Sequence, residues 1–351
     1  MVTLYIASND AYAGKTLTSL VLGKRWQQQG RRVGYMKPLG LLPVTVGDEV
    51  TDEDALFVAQ QLDLKTDPSH LCPLVMGPEM SCWDAEEAQR KVRDAFDATS
   101  QEVDVMLVCG SGSVLTRGSM LGLSGGSLAE TLDAQVLLMG RCESFLDADS
   151  IIASHRILGD RLAGVLLNLV PPRQADRIWE DVVPCLERVG MSVWGVMPRD
   201  PLLQSVSIRE LTEATGGRML CCPEAGEELV ENFVVGAMGV ERALQHFRRT
   251  PRKCVITGGD RSDIQLAALE THTRCLILTG DLTPSHTVVA RAEELSVPLL
   301  LVRDDTLTTV ATIEEMLGKL RVREPRKIQR AVEQFEAHYE LSKLDAALGL
   351  K

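Results

Sequence analysis

The chain has no C-x-x-C pair among its nine cysteines and no run of Lys and Arg longer than a few residues. It also has no apolar stretch approaching the ~18 to 20 residues that a membrane span needs. Each absence excludes something. Cys72, Cys82, Cys109, Cys142, Cys185, Cys221, Cys222, Cys254 and Cys275 lack zinc-ligand spacing and read as small buried hydrophobes in a reducing compartment. A formal net charge of -12 argues against a nucleic-acid partner, because a phosphate backbone requires a basic face. The most basic stretch, Arg248-Arg249-Thr250-Pro251-Arg252-Lys253, is short enough to be a solvated connection. No charged leader region or cleavage site opens the chain, and no low-complexity segment or repeat array interrupts it. A cytoplasmic protein without a membrane partner is expected.

What is present begins at the first residues. The apolar strand Val2 to Ala7 runs into Ser8-Asn9-Asp10-Ala11-Tyr12-Ala13-Gly14-Lys15-Thr16 and then into a helical pattern over Leu17 to Gln29. Strand, Gly-Lys-Thr turn and helix together predict a nucleotide phosphate site. Gly14 lets the backbone approach an anion, and the helix after it presents free N–H groups and the positive end of its dipole. Lys15 reaches the β/γ oxygens and the Thr16 hydroxyl can ligate Mg²⁺. The usual spacing wants glycine at position 9, where this chain has Asn9. The plainer alternative is a helix start at which Gly14 closes a turn and Lys15 is solvated.

At 351 residues the chain has length for about two domains. Apolar runs at Val2 to Ala7, Arg32 to Met36, Val105 to Val108, Val136 to Met139, Leu162 to Leu167 and Val193 to Val196 alternate with amphipathic stretches such as Ala85 to Ala98 and Gln174 to Val189. That alternation predicts a doubly wound parallel α/β sheet over residues 1–202. A second α/β alternation follows over 203–318. It reads as helix Val206 to Ala214, strand Arg218 to Cys221, helix Leu229 to Phe247, strand Cys254 to Thr257, helix Arg261 to Thr271, strand Cys275 to Thr279, helix Ser285 to Leu295 and strand Pro298 to Val302. Residues 319–351 form a C-terminal helical segment, with Ile328, Val332, Phe335 and Tyr339 at helical spacing, packed on the body or on a second subunit.

Ligands of a parallel sheet sit at the carboxyl ends of its strands, and that rule sorts the polar candidates. Asp104 precedes its strand and so lies roughly 15 Å from the phosphate end at ~3.3 Å per residue, a poor place for a metal ligand. Lys37 follows the second strand, where it faces a bound phosphate or an anionic substrate, or else snorkels to solvent. Asp52-Glu53-Asp54 opens the next helix, where capping accounts for at least one of the carboxylates. Asn168 ends an apolar strand at the ligand edge, where its amide can pair with adenine or form a turn before Pro171-Pro172. In the second half, Thr257-Gly258-Gly259-Asp260-Arg261 joins a strand to a helix. Asp260 is placed to cap that helix, and Arg261 offers an anion-binding fork or pairs with a neighbouring acid.

Taken together, Gly14-Lys15-Thr16, Tyr35-Met36-Lys37-Pro38, Asp54-Ala55, Gly110-Ser111-Gly112, Asn168 and Gly195-Val196-Met197-Pro198 resemble dethiobiotin synthetase and its relative, the N-terminal domain of bacterial phosphotransacetylase. The second half resembles the DRTGG domain through Ser205 to Leu211, Glu231 to Met238 and Thr257 to Gln265. The resemblance implies a P-loop NTPase-type sheet followed by a smaller α/β DRTGG domain. It also implies ATP and Mg²⁺ as cofactors, Lys15 and Thr16 on phosphate and metal, Lys37 at the reacting group, Asp54 as a metal ligand and Asn168 on adenine. Gly258, Gly259, Asp260 and Arg261 become a regulatory ligand site or a dimer interface.

Two departures redirect the reading. Cys109 stands where the synthetases carry a glutamate metal ligand, and soft sulfur is a poor partner for Mg²⁺. The apolar Leu39-Gly40-Leu41-Leu42 replaces their hydroxyl-bearing and glycine-containing substrate loop. Acetyl transfer is not expected, since that catalytic domain needs roughly two further domains' worth of chain. The expected function is an ATP-binding regulatory or sensor protein with weak or no hydrolysis, a small metabolite as second ligand and a homodimeric state. The alternatives are an ATP-dependent ligase that forms an acyl-phosphate on a small carboxylic acid, and a scaffold whose loop no longer binds nucleotide.

Overall fold

A computed structural model describes residues 1–76, 84–318 and 324–350, so Cys82 and the start of the C-terminal segment lie outside the described residues. The chain divides into two compact units, Met1–Arg199 with Val322–Lys351, and Asp200–Arg321.

The main sheet of the first unit has six strands: β1 (Val2–Ser8), β2 (Val33–Met36), β3 (Val105–Cys109), β4 (Gln135–Arg141), β5 (Leu162–Val170) and β6 (Val193–Pro198). Their order across the sheet is β6-β5-β4-β1-β3-β2, and every neighbouring pair is parallel. Helices cover both faces, so the strands read as unbroken apolar runs, and every residue of β3 is buried. The register sets Ile6 beside Cys109 and Arg141 beside Asn168, which brings these strand ends to one edge. Helix α1 (Lys15–Gln28) leaves that edge directly from β1. At the opposite edge, Asp104 accepts the Arg32 N–H at 2.8 Å and pairs with its guanidinium at 3.1 Å, the strand-start role read from its position.

The C-terminal segment packs on this same unit. It forms two helices, Pro325–His338 and Leu341–Ala347, where the periodicity suggested one. Tyr339 between them adds an antiparallel bridge to Gly195 of β6, and that extended residue breaks the helix. Asp345 then clamps the far end of α1, accepting from Arg25 at 2.7 Å and from Trp26 Nε1 at 2.9 Å.

The second unit holds β7 (Arg218–Cys221), β8 (Asn232–Val235), β9 (Lys253–Gly258), β10 (Thr273–Thr279) and β11 (Leu299–Leu301) in the order β7-β11-β10-β9-β8. All neighbours are parallel except β7 with β11. The helix expected over Leu229 to Phe247 is corrected here. Leu229–Val230 and β8 are strands, and the helix spans only Val240–Arg249. Pairing of Phe233 and Val234 with Cys254 and Val255 overrides the helical reading of an apolar run rich in β-branched residues.

Lys253 opens β9 fully buried, its Nζ without a hydrogen-bond partner and 5.8 Å from the Phe247 ring centroid. Burial pushes its ammonium down to about 8. The unfolded chain therefore holds more protons than the folded one between that value and the ordinary lysine range, so wild-type stability rises as pH climbs through the window. Lys253→Met is expected to stabilise the protein by roughly 1–3 kcal/mol at neutral pH, with the gain shrinking at alkaline pH. Urea unfolding of both proteins at neutral and alkaline pH checks this; a gain that does not shrink would contradict it.

Candidate functional site

The Ser8–Thr16 loop folds as a cradle at the carboxyl edge of the first sheet. Tyr12 and Gly14 both hold left-handed backbone, at φ 54 and φ 97. Gly14 stands at the N-cap of α1 and no side chain caps that end, so the first-turn N–H groups remain available to an anion. A Cβ on Gly14 would lie 2.6 Å from the Asn168 amide nitrogen, so the position requires glycine for space as well as for φ. Lys15 is buried, and its Nζ donates to Ser8 Oγ at 2.6 Å and to the Gly112 carbonyl at 2.7 Å. Desolvation lowers its pKa to about 8, and the pull of Cys109, Asp10 and Asp54 only partly offsets this. A buried ammonium with two neutral acceptors fits a phosphate group well, because a phosphate would supply the charge this site lacks. Thr16 is half-buried at the head of α1.

Asn9, at the position where glycine is usual, ties the loop to β4. Its Nδ2 donates to the Arg141 carbonyl at 3.1 Å and to Ser150 Oγ at 2.8 Å, and its Oδ1 accepts the Arg141 N–H at 2.8 Å. The amide thus replaces glycine's freedom with a fixed anchor. A cleft of about 800 Å³ opens beside it, lined among others by Asp10, Arg141, Glu143, Asp147 and Gln174. Burial alone would raise the Glu143 carboxyl, yet the hydrogen bonds and charges of Arg141 and Arg199 hold it below the usual range.

On the other side of β1 stands a second charged group. Lys37 Nζ lies 2.7 Å from Asp52 Oδ1 and 3.5 Å from Asp54 Oδ2, all three largely buried. Burial opposes the Lys37 charge, but the two carboxylates and Cys109 outweigh it and raise its pKa. Asp52 is the organiser that the sequence did not single out. Its Oδ1 also caps the helix Glu53–Gln61 through Asp54 and Ala55 N–H groups, and its Oδ2 accepts from Leu41 and Leu42 at 2.8 and 3.0 Å. Cys109 is buried beside this group, and burial followed by Cys109, Asp52 and Asp54 drives the Tyr35 hydroxyl well above its ordinary pKa. Lys15, Lys37, Asp54 and Cys109 are thereby close enough to influence one another.

Among the described residues no group of three or more His, Cys, Asp or Glu stands ready to hold a metal ion. Mg²⁺ in a nucleotide site needs only one or two protein oxygens besides phosphate, and Thr16 and Asp54 suffice in kind. No helix of the described residues is long and apolar enough to cross a membrane.

Asn168 sits buried at the end of β5, its Nδ2 donating to the Ala13 carbonyl at 3.0 Å and its Oδ1 accepting the Leu169 N–H at 2.8 Å. In the second unit, Gly258 ends β9, and Gly259, Asp260 and Arg261 follow it as a tight turn. The capping role expected of Asp260 is corrected: Arg261 occupies the N-cap of Ser262–Leu269 and no side chain caps it. Arg261 instead pairs with Asp263 at 3.1 Å. Gly259 packs against the Leu282 carbonyl, and Gln265 donates to the carbonyls of Gly258 and Gly259 at 2.8 and 3.0 Å.

Residues 2–207 match the AAA domain family and residues 210–316 match the DRTGG domain family. A phosphate acetyltransferase from Synechocystis is 24% identical over 362 residues, covering 97% of this chain and 51% of that protein. The chain therefore spans about half the length of the curated relatives it matches. The CBS and DRTGG domains of the regulatory region of Clostridium perfringens pyrophosphatase, solved with the activator diadenosine tetraphosphate, align over 36% of this chain and 53% of that one at 23% identity and a TM-score of 0.29. MinD cell division protein from Aquifex aeolicus aligns over 58% of this chain and 84% of that one at 15% identity and a TM-score of 0.35. The chain belongs to the AAA domain family in its dethiobiotin-synthetase-like P-loop form and carries a DRTGG domain after it, the arrangement of the N-terminal region of bacterial phosphate acetyltransferases.

Proposed function

We propose that the first unit binds ATP with Mg²⁺ at the Ser8–Thr16 loop and that the chain is a nucleotide-responsive regulatory protein with weak or no hydrolysis. The observation that carries this reading is the buried Lys15 ammonium, held by neutral acceptors beside an uncapped helix N-terminus and a left-handed Gly14. Lys15 and the first-turn amides bind phosphate, Thr16 and Asp54 supply the oxygens for Mg²⁺, and Asn168, expected as an adenine contact, holds the loop through Ala13. When bound, Mg²⁺ neutralises charge on the β and γ oxygens.

Cys109 supports weak turnover. It lies at the end of β3, where an oxygen ligand would help hold the metal, and its sulfur is a poor substitute. Lys37 is already neutralised by Asp52 and Asp54, so its charge is largely committed within the fold. Domains over 1–202, 203–318 and 319–351, a homodimer and a metabolite or dimer contact at Gly258 to Arg261 belong to the same proposal. The acetyl transfer that names the relatives belongs to proteins of which this chain covers 51%.

Cys109→Glu is expected to tighten the Mg²⁺ dependence of ATP turnover or to raise its rate, by restoring an oxygen at the strand end. A steady-state assay over a Mg²⁺ series reads this. A variant that matches or trails wild type at every concentration would refute the role given to Cys109.

A further inference from the structure

Four consecutive residues at the end of β5 hold three parts of the first unit at once. The Leu167 carbonyl accepts the Tyr339 hydroxyl at 3.1 Å. Asn168 donates to Ala13 of the phosphate loop at 3.0 Å. The carbonyls of Leu169 and Val170 accept Arg199 Nε at 3.1 Å and the Arg199 backbone N–H at 2.8 Å. Leu169 itself stands at φ 59, left-handed backbone that a leucine rarely adopts, with its N–H held by Asn168 Oδ1. Such conformers persist only where their surroundings over-determine them, and they cluster at switch regions.

The three parts are the nucleotide loop and the two places where the chain leaves and rejoins the unit. Arg199 is the last residue before the chain departs for the DRTGG unit, and Tyr339 lies in the segment with which it has returned. The returning segment is seated on β6 as well, where Glu340 N–H donates to the Trp194 carbonyl at 2.8 Å and a Cβ on Gly195 would strike the His338 carbonyl. A line of charges also runs from the loop to Arg199. Asp10 lies 3.8 Å from Arg141, Arg141 lies 2.7 Å from Glu143, and Glu143 lies 2.6 Å from Arg199.

We propose that Leu167 to Val170 is a coupling node through which nucleotide occupancy of the loop sets how firmly both connections of the DRTGG unit are anchored. The inference rests on the nucleotide reading above. Phosphate seated on the loop orders Ala13 and Gly14 against Asn168. Asn168 in turn fixes the left-handed Leu169, whose carbonyl together with that of Val170 holds Arg199, while the adjoining Leu167 carbonyl holds Tyr339. Linkage makes the effect reciprocal, so whatever loosens or tightens those connections changes nucleotide affinity by the same factor.

Hydrogen exchange of the full chain with and without MgATP tests the proposal, using wild type and Tyr339→Phe. The phenylalanine keeps the edge-on packing against Phe335, whose ring centroid lies 5.0 Å away, and removes only the hydroxyl bond. In wild type, MgATP is expected to slow exchange over the loop and also over residues 199–205 and 338–344. The slowing at the two connections should reach ~5-fold or more, the low end of ordinary allosteric coupling. In Tyr339→Phe the loop still responds, and the response at 338–344 falls to less than half. A loop that responds while both connections stay unchanged overturns the coupling and leaves the nucleotide reading standing. A variant whose connections respond as in wild type also overturns it. A loop that does not respond overturns the nucleotide reading and the coupling together.

Discussion

Replacing Lys15 with alanine is expected to weaken MgATP binding by ~10- to 100-fold, the worth of charge-assisted hydrogen bonds at about 1.5–3 kcal/mol. The ammonium is the one cation placed inside the loop, and its present partners, Ser8 Oγ and the Gly112 carbonyl, carry no formal charge. Proton linkage gives a second signature. Burial holds Lys15 at about 8, and a bound phosphate would raise it toward the ordinary lysine range. Binding near or above that value therefore takes up protons, whereas binding at mildly acidic pH takes up few, because the amine is already charged. Calorimetry in buffers of different ionisation enthalpy measures both effects. Equal affinity in wild type and Lys15→Ala, or proton uptake that does not depend on Lys15, would contradict the assignment.

Asp52→Ala is expected to destabilise the first unit by about 3–5 kcal/mol, the usual consequence of stranding one member of a buried ion pair. At roughly 2–4 °C per kcal/mol for a unit of this size, the melting temperature falls by roughly 6–20 °C. Asp52 is fully buried and serves Lys37 Nζ, the helix N-terminus at Asp54 and Ala55, and the Leu41 and Leu42 amides. Removing the stranded charge as well, in Asp52→Ala with Lys37→Met, should recover part of the loss. Thermal unfolding of the single and double variants decides the matter. A single variant within about 1 kcal/mol of wild type would show that the loop and helix do not depend on this carboxylate.

The parallel sheet was legible because buried strands leave unbroken apolar runs, and the P-loop was legible because its chemistry is local in sequence. Lys37 and Asn168 were legible as polar residues beside apolar runs at the carboxyl edge of the sheet. What stayed hidden was set by distant partners. Nothing local in Asn9 says that its amide will meet Arg141 and Ser150, more than a hundred residues away. Asp52 reads as an ordinary cap until the Leu41–Leu42 turn and Lys37 fold back onto it. The stretch Leu229 to Val235 has β-branched residues that suit a strand, but its distant pairing partners decide the outcome, Val206–Ser207 for Leu229–Val230 and Lys253–Ile256 for Asn232–Val235. Asp260 failed as a cap because the chain turns one residue later than the glycines suggest, leaving Arg261 at the helix start. The returning segment was legible as helical but not as a strap, since the bridge between Tyr339 and Gly195 is a tertiary event.

The central claim, that the Ser8–Thr16 loop is a working nucleotide site, is tested most directly by a crystal structure grown with Mg²⁺ and a non-hydrolysable ATP analogue. The predicted result has the β and γ phosphates on the amides of Ala13 to Thr16 and the Thr16 hydroxyl on the metal, with Lys15 Nζ drawn from Ser8 Oγ and the Gly112 carbonyl onto phosphate oxygen. Lys15 left on those two partners, with the analogue absent or bound elsewhere at millimolar concentration, would contradict it.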